Sequence, residues 1–214
     1  MMKCLLSASL CLLLAFSSCA PSIVRTCRKG GEAQVVGKEQ LSPMVDASDR
    51  LCKYNVTIDF MRKHFSGLLL IKETGAGTYR TLFSTHFGLS LFDLEIGADS
   101  LIVHHCIEPL NKKKILSLFQ RDFSVLLGLN IPSENKATVY NCMQPSTDIV
   151  YKLSIPGFKG YYRMDVVSDR MQEIRLGAGL RKTTFRSFPD STGRTAIRIR
   201  HTGLKLSIGL DGLD

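Results

Sequence analysis

The sequence predicts a mostly β domain, built on a strongly curved antiparallel sheet that carries one amphipathic helix. Short apolar runs of strand length, separated by glycine turns, fill most of the chain after residue 52. A single segment, 111–127, changes to the period of a helix. The last apolar run switches phase, and strongly curved sheets need irregularities of this kind. The length fits one domain with a substantial core.

The strands are predicted from runs rich in β-branched, aromatic and aliphatic residues. Turns such as Gly75-Ala76-Gly77 and Gly97-Ala98-Asp99 contain residues that tolerate positive φ, so neighbouring strands should form hairpins. The predicted strands before the helix are 55–64, 67–73, 78–87, 90–96 and 100–107, and those after it are 137–143, 149–154, 160–168, 171–176 and 180–188.

The predicted helix carries its apolar side chains on one face and ends at Gly128. In the final run, Ile197 and Ile199 are apolar at odd positions, whereas Leu206 and Ile208 are apolar at even positions. This phase change near residue 202 predicts a bulge or sharp bend within one long strand.

The N-terminus is typical of an exported lipoprotein. Lys3 precedes an uncharged apolar run that is too short to span a bilayer, and Ser17-Ser18-Cys19-Ala20 resembles a lipobox. We therefore expect a lipoprotein signal peptide over 1–18, lipidation (palmitate among the acyl chains) at Cys19, and an irregular tether over 19–52 with a short helix near 44–51. The domain would occupy 53–214. The alternative is an ordinary signal peptide with Cys19 incidental.

Charge and export together restrict the partners. The formal net charge is +9, but an exported chain is not expected to bind nucleic acid, which leaves anionic lipid surfaces or a well-solvated basic surface without a specific partner. No acidic residue directly follows Cys19. The expected location is the periplasmic face of the outer membrane, with the protein held by its lipid anchor.

Four cysteines follow Cys19, namely Cys27, Cys52, Cys106 and Cys142. They lack CxxC spacing, so the sequence gives no support for a zinc site. Disulfides and buried thiols are equally open alternatives, and the pair of Cys27 with Cys52 is the first to test because both precede the main strands.

The sequence contains no enzyme signature, and we expect no catalytic residue, metal or cofactor. His104 and His105 would point to opposite faces of a strand and cannot share one metal ion. A histidine beside Asp93 or Glu95 could form a catalytic pair, but polar residues on a strand surface explain this composition better.

Several segments resemble the early strands of LolB-like outer-membrane lipoproteins. The resemblance rests on Phe65-Ser66-Gly67-Leu68-Leu69-Leu70-Ile71, Arg80-Thr81-Leu82-Phe83-Ser84-Thr85-His86-Phe87-Gly88, Leu91-Phe92-Asp93-Leu94-Glu95-Ile96 and Leu126-Leu127-Gly128-Leu129-Asn130-Ile131-Pro132. It covers most of residues 53–210. The resemblance implies the LolA/LolB half-barrel with a helical lid, whose hollow accepts acyl chains of lipoproteins for delivery to the outer membrane. Unlike most LolB-like proteins, this chain has no tryptophan.

We therefore expect a non-catalytic chaperone that binds acyl chains of lipoproteins, or phospholipid, and receives them from a periplasmic carrier. The residues expected to line the hollow are Leu70, Phe83, Phe92, Leu94, Ile102, Leu116, Phe119 and Phe123. If the helix is a lid, Phe119→Asp should leave the domain folded and abolish acyl binding. The alternatives are an envelope scaffold whose hollow is filled by its own side chains, and a periplasmic hydrolase.

Overall fold

The computed structural model contains one large antiparallel sheet and one α-helix within residues 21–143, 147–155, 158–178 and 181–213, which are the residues that the structure describes. The strands are β1 (Cys27–Lys29), β2 (Gln34–Gly37), β3 (Cys52–Phe60), β4 (Lys63–Gly75), β5 (Thr78–Ser84), β6 (Ser90–Ile96), β7 (Leu101–Cys106), β8 (Glu134–Cys142), β9 (Asp148–Ile155), β10 (Phe158–Asp165), β11 (Arg170–Ala178), β12 (Arg181–Pro189), β13 (Thr195–His201) and β14 (Leu206–Gly212). The helix is α1 (Lys113–Leu126), and Ser22–Val24 and Lys38–Gln40 form short 3-10 turns. The mostly β prediction with one inserted helix is confirmed.

The strands pair in the order β1-β8-β9-β10-β11-β12-β13-β14-β3-β4-β5-β6-β7, and β2 also pairs with β8. The predicted hairpins are confirmed, because most neighbours in sequence are neighbours in the sheet. The pairing of β14 with β3 joins the five strands directly before α1 to the strands after it, and β1 and β2 pair with β8 across the same helix. The sheet is not closed, since β7 ends the order on one side and β1 with β2 ends it on the other.

Alternation of side chains gives the sheet one buried face. In β3, Tyr54, Val56 and Ile58 are buried, while the residues between them are exposed. These buried residues belong to the same hydrophobic core as Phe119 and Phe123 of α1. We call the face that packs with α1 the inner face and the opposite one the outer face.

The contacts of α1 require the sheet to curve. Phe119 and Phe123 lie against Phe92 of β6, whereas Asp122 lies 2.7 Å from His201 of β13. Four strands separate β6 from β13 in the sheet order, so a flat sheet would hold them about 24 Å apart at about 4.8 Å per strand. A helix is only about 10 Å across. The sheet therefore bends around α1.

The described part of the segment predicted as a tether is folded onto the sheet. Ile23 and Val24 pack on the outer face, in a small cluster with Cys142 and Val150. Val36 of β2 and several residues of the segment 41–47 that follows it contribute side chains to the main core. Residues 44–51 form bends and irregular backbone in place of the predicted short helix. The segment packs through its apolar side chains. The sequence did not predict this packing, because these side chains follow no regular period.

The disulfide joins Cys27 to Cys142, so the suggested pair of Cys27 with Cys52 is wrong. The pairing of β1 with β8 sets the two cysteines directly opposite each other, with their Cα atoms 4.1 Å apart. Cys52 lies in the main core, where its thiol is 3.2 Å from the carbonyl oxygen of Asp46.

Two turns differ from the strand predictions. The apolar phase change near residue 202 marks a hairpin turn between β13 and β14, not a bend within one strand, and Gly203 adopts a φ of +87° there. The predicted strand 55–64 is interrupted by a tight turn at Met61 and Arg62. Met61 has a φ of 56°, and no glycine, proline or asparagine indicated this turn.

Removal of the disulfide should lower the stability of the whole domain. The bond closes a loop with a sequence separation of 115, so the double substitution Cys27→Ser and Cys142→Ser should reduce the free energy of unfolding by about 5 kcal/mol through loop-closure entropy. Urea unfolding of the purified chain measures this change. Cys106→Ser, at a half-buried cysteine outside the disulfide, is the matched control and should change stability little. If the double variant and Cys106→Ser lowered the free energy of unfolding equally, the disulfide would not be stabilising the domain.

Candidate functional site

Most of the residues predicted to line a hollow are packed against one another. Phe83, Phe92, Leu94, Phe119 and Phe123 are all buried in the main core. The ring centroids of Phe83 and Phe92 are 5.3 Å apart, and those of Phe92 and Phe119 are also 5.3 Å apart. These distances are typical of aromatic rings in contact. The aromatic side chains therefore occupy the space between α1 and the inner face.

The other three predicted residues lie elsewhere. Leu116 is half-buried at the border of the core. Leu70 is half-buried on the outer face, because its neighbours Leu69 and Ile71 point into the core. Ile102 is 51% exposed on the edge strand β7. The eight residues are therefore not brought together around one space.

An apolar cavity does exist at one end of the sheet, and we call it the rim cavity. Its volume is about 510 Å³, which falls in the range of about 300–1,000 Å³ typical of small-molecule sites. It is lined by Phe60, Met61, Arg62, Lys63, Phe65, Pro109, Lys112 and Lys205. These residues come from the β3–β4 hairpin, the β13–β14 turn and the segment that leads into α1.

Backbone contacts hold these elements together. The amide of Met61 donates a hydrogen bond of 2.7 Å to the carbonyl oxygen of Lys205, which joins the two turns. The carbonyl oxygen of Lys112 accepts hydrogen bonds of 2.8 and 2.9 Å from the amides of Ile115 and Leu116, in the first turn of α1. These bonds fix the backbone of Lys112 at the N-terminus of α1.

The rim cavity combines an apolar wall with a basic margin. Phe60 and Phe65 are half-buried and pack on the main core, so their rings form a floor that is continuous with the interior. Among the described residues that line the cavity, four are basic and none is acidic. Such an arrangement suits an amphiphile that has an alkyl chain and an anionic head group. Sequence reasoning missed the site because its three segments are far apart in the chain and the turn at Met61 had no signal.

A second group of polar residues is buried where α1 meets β12 and β13. The Oδ2 atom of Asp122 lies 2.7 Å from Nε2 of His201, and both side chains are only 2% exposed. The Thr183 hydroxyl is 3.2 Å from Nδ1 of the same ring, and the Arg121 guanidinium donates hydrogen bonds of 3.2 Å to Asp122 and 3.1 Å to Thr183. The order of hydroxyl, imidazole and carboxylate is that of a hydrolase triad, but Thr183 and His201 are buried. These contacts connect the helix to the sheet.

The histidines considered from the sequence are surface residues. Nε2 of His104 lies 3.2 Å from a carboxylate oxygen of Glu95, and Asp93 is bound by Arg80 at 2.7 and 2.8 Å. The hydrogen bonds from Arg80 hold the pKa of Asp93 below its ordinary value. Within the described ranges, no group of three metal-binding side chains comes together.

In comparisons with protein-family models, curated proteins and solved structures, nothing matches this chain. Over the residues that the structure describes, no helix combines the length and the hydropathy needed to cross a bilayer. Cys19, the proposed lipidation site, lies outside the described residues.

The burial of Phe119 alters what its substitution should do. Because the ring is 2% exposed and touches Phe92, Phe119→Ala should lower the free energy of unfolding by about 3–5 kcal/mol, and Phe119→Asp should prevent folding. Phe87→Ala, at a fully exposed phenylalanine, should leave stability unchanged. Chemical unfolding followed by circular dichroism compares the variants. A loss below about 1 kcal/mol for Phe119→Ala would instead indicate a lid over open space.

Proposed function

We propose that this chain is a lipid-anchored protein at the periplasmic face of the outer membrane, where it binds alkyl chains of lipoproteins or phospholipids and passes them on without covalent chemistry. In this proposal the curved sheet is a LolB-like half-barrel, and α1 is the element that covers it. The observation that carries the proposal is the rim cavity, with its phenylalanine floor and its basic margin.

The cavity offers the two interactions that an acylated ligand needs. Each methylene removed from water contributes about 0.8 kcal/mol, and Phe60 and Phe65 provide the apolar surface for it. The basic side chains at the margin would lie beside a carboxylate or phosphate. Lys112 and Lys205 come from different elements, so an anionic head group between them would have cations on two sides.

Exposed apolar side chains on three turns at this end of the sheet give further support. Met61 is 72% exposed, Phe87 is fully exposed, Leu89 is 61% exposed and Leu204 is 50% exposed. Antiparallel pairing brings the β3–β4, β5–β6 and β13–β14 turns to the same end. Apolar groups gathered beside an apolar cavity would ease the passage of an alkyl chain between the cavity and another lipid-bearing surface.

The second candidate function is an envelope scaffold without a ligand. The packing of Phe83, Phe92 and Phe119 favours it, because the interior of the fold is filled by the chain's own rings. The two candidates differ in one respect that can be measured. A carrier takes up alkyl ligands at the rim cavity, and a scaffold does not.

Uptake of a fluorescent fatty acid by the unlipidated mature chain should therefore be measurable at micromolar concentration. Met61→Asp should weaken this uptake at least tenfold, because it adds an anion to the cavity wall while its exposed position preserves the fold. Aspartate also tolerates the positive φ of this turn. Val167→Asp is the matched control, since Val167 is 88% exposed and lies outside the residues that line the cavity.

A negative result in either part of this experiment would contradict a specific part of the proposal. If the unsubstituted chain takes up no fatty acid, the carrier proposal is wrong and the scaffold candidate stands. If Met61→Asp and Val167→Asp bind as well as the unsubstituted chain, the ligand is not in the rim cavity.

Anchoring is tested separately by Cys19→Ala. We expect the precursor to remain uncut by the lipoprotein signal peptidase and the protein to leave the detergent phase when cells are fractionated, since lipid on this cysteine is the proposed attachment. Cys106→Ala serves as the control. Unchanged processing and membrane partitioning of the Cys19 variant would refute the anchor.

A further inference from the structure

The outer face of β11, β12 and β13 is strongly basic. Strand register aligns its side chains, because Arg175 is opposite Thr184, Thr184 is opposite Arg200, and Arg186 is opposite Arg198. Lys182 lies on the same face, two residues before Thr184. We call Arg175, Lys182, Arg186, Arg198 and Arg200 the basic face.

Like charges directly across a strand pair are unfavourable, and here Arg186 and Arg198 are direct partners. Two acidic residues relieve part of this repulsion. Glu173 accepts hydrogen bonds from Arg175 at 2.7 Å and from Arg186 at 3.0 Å, and Asp211 lies 2.6 Å from Arg198. Burial alone would raise the pKa of Glu173, but the two arginines outweigh it and lower that pKa. Asp59 lines a neighbouring hollow with Arg198 and Arg200. The five cations outnumber these three anions, so the face keeps excess positive charge.

The surface of the basic face is concave between its arginines. A hollow of about 380 Å³ is lined by Thr184, Arg186, Phe188, Arg198 and Arg200. The Phe188 ring is 42% exposed, and the Arg198 guanidinium lies over it at 5.5 Å. Guanidinium groups bind phosphate oxygens in pairs, and an exposed aromatic ring suits the boundary between water and lipid.

The N-terminal segment reaches the surface beside this face. Arg175 donates a hydrogen bond of 2.6 Å to the hydroxyl of Ser22. Cys19 precedes Ser22 by three residues, and a chain extends by at most about 3.6 Å per residue. The Cα atom of Cys19, the proposed attachment point of the lipid, can therefore lie at most about 11 Å from that of Ser22. This short reach holds any membrane that contains the anchor close to Arg175.

We propose that the basic face lies against the anionic head groups of the membrane that holds the anchor. The orientation of the protein on the membrane rests on the proposed lipidation of Cys19. The charge and shape of the basic face are independent of that lipidation. The partner is a bilayer surface rich in anionic phospholipid. At physiological salt the screening length is about 8 Å, so cations held this close to the bilayer still interact with its charge.

The test uses the mature chain with Cys19→Ser, which carries no lipid. This chain retains every buried core residue that the structure describes, since these lie between Ile23 and Leu210. It is sedimented with vesicles of phosphatidylcholine alone, or of phosphatidylcholine with one third phosphatidylglycerol. We expect binding to the anionic vesicles only, and loss of that binding between about 0.1 and 1 M salt, as the screening length falls from about 10 to 3 Å.

Charge reversal identifies the face. Lys182→Glu with Arg200→Glu should weaken binding to the anionic vesicles at least about tenfold, because each basic residue near such a surface contributes about fivefold in affinity. Both side chains are exposed, so the substitutions should preserve the fold. The matched control, Lys38→Glu with Lys72→Glu, makes the same change in net charge at exposed residues outside the basic face.

Three results would overturn the proposal. They are equal binding to both kinds of vesicle, binding to anionic vesicles that persists at about 1 M salt, and an equal loss of affinity for anionic vesicles in the two double variants. The result of the vesicle experiment does not depend on whether the rim cavity binds a ligand. The Lys182 and Arg200 variant should still take up fluorescent fatty acid like the unsubstituted chain, so loss of vesicle binding and loss of ligand uptake are separate failures.

Discussion

The packing of α1 against two distant parts of one sheet determines the shape of this molecule. Phe119 and Phe123 contact β6 on one side of the helix, and the neighbouring Asp122 contacts β13 on the other. Both contacts form together only if the sheet bends. The pairing of β14 with β3 lies within this curved stretch, and it joins the five strands directly before the helix to the strands after it. The rim cavity lies where this junction meets the start of α1.

The same packing distinguishes apolar side chains of the enclosed core from apolar side chains at the end of the sheet. The two groups have the same pattern in the sequence. Side chains in the middle of α1 and β6 are enclosed, so they stabilise the fold and are unavailable to a ligand. Phe60 and Phe65 lie where the β3–β4 hairpin projects at the end of the sheet, and they are only half-buried. A ligand site at the end of the fold is therefore compatible with a filled interior. In this way the carrier and scaffold candidates share one structure and differ at its margin.

Local patterns in the sequence were sufficient to predict the strands and the helix. They were insufficient to predict the contacts between residues far apart in the chain. Alternation predicted β3 to β7, and the change of period predicted α1 to within two residues at each end. The link of Cys27 to Cys142 and the contact of Asp122 with His201 depend on distant pairings that no local period encodes. The turn at Met61 was missed because its positive φ occurs at a residue that seldom adopts it. Phe119 was assigned to a hollow because an amphipathic helix looks the same over a core and over a pocket.

The bond between Cys27 and Cys142 has a mechanical consequence for a protein held by its N-terminus. Force applied at Cys19 would travel through a short peptide to Cys27 and then cross directly to β8. Peeling of β1 from the sheet edge is therefore blocked, because the covalent link passes the force to β8 and its pairing with β9 and keeps it off the hydrogen bonds between β1 and β8. In the proposed anchored state, the fold would withstand tension from the membrane at the point where the chain first joins the sheet.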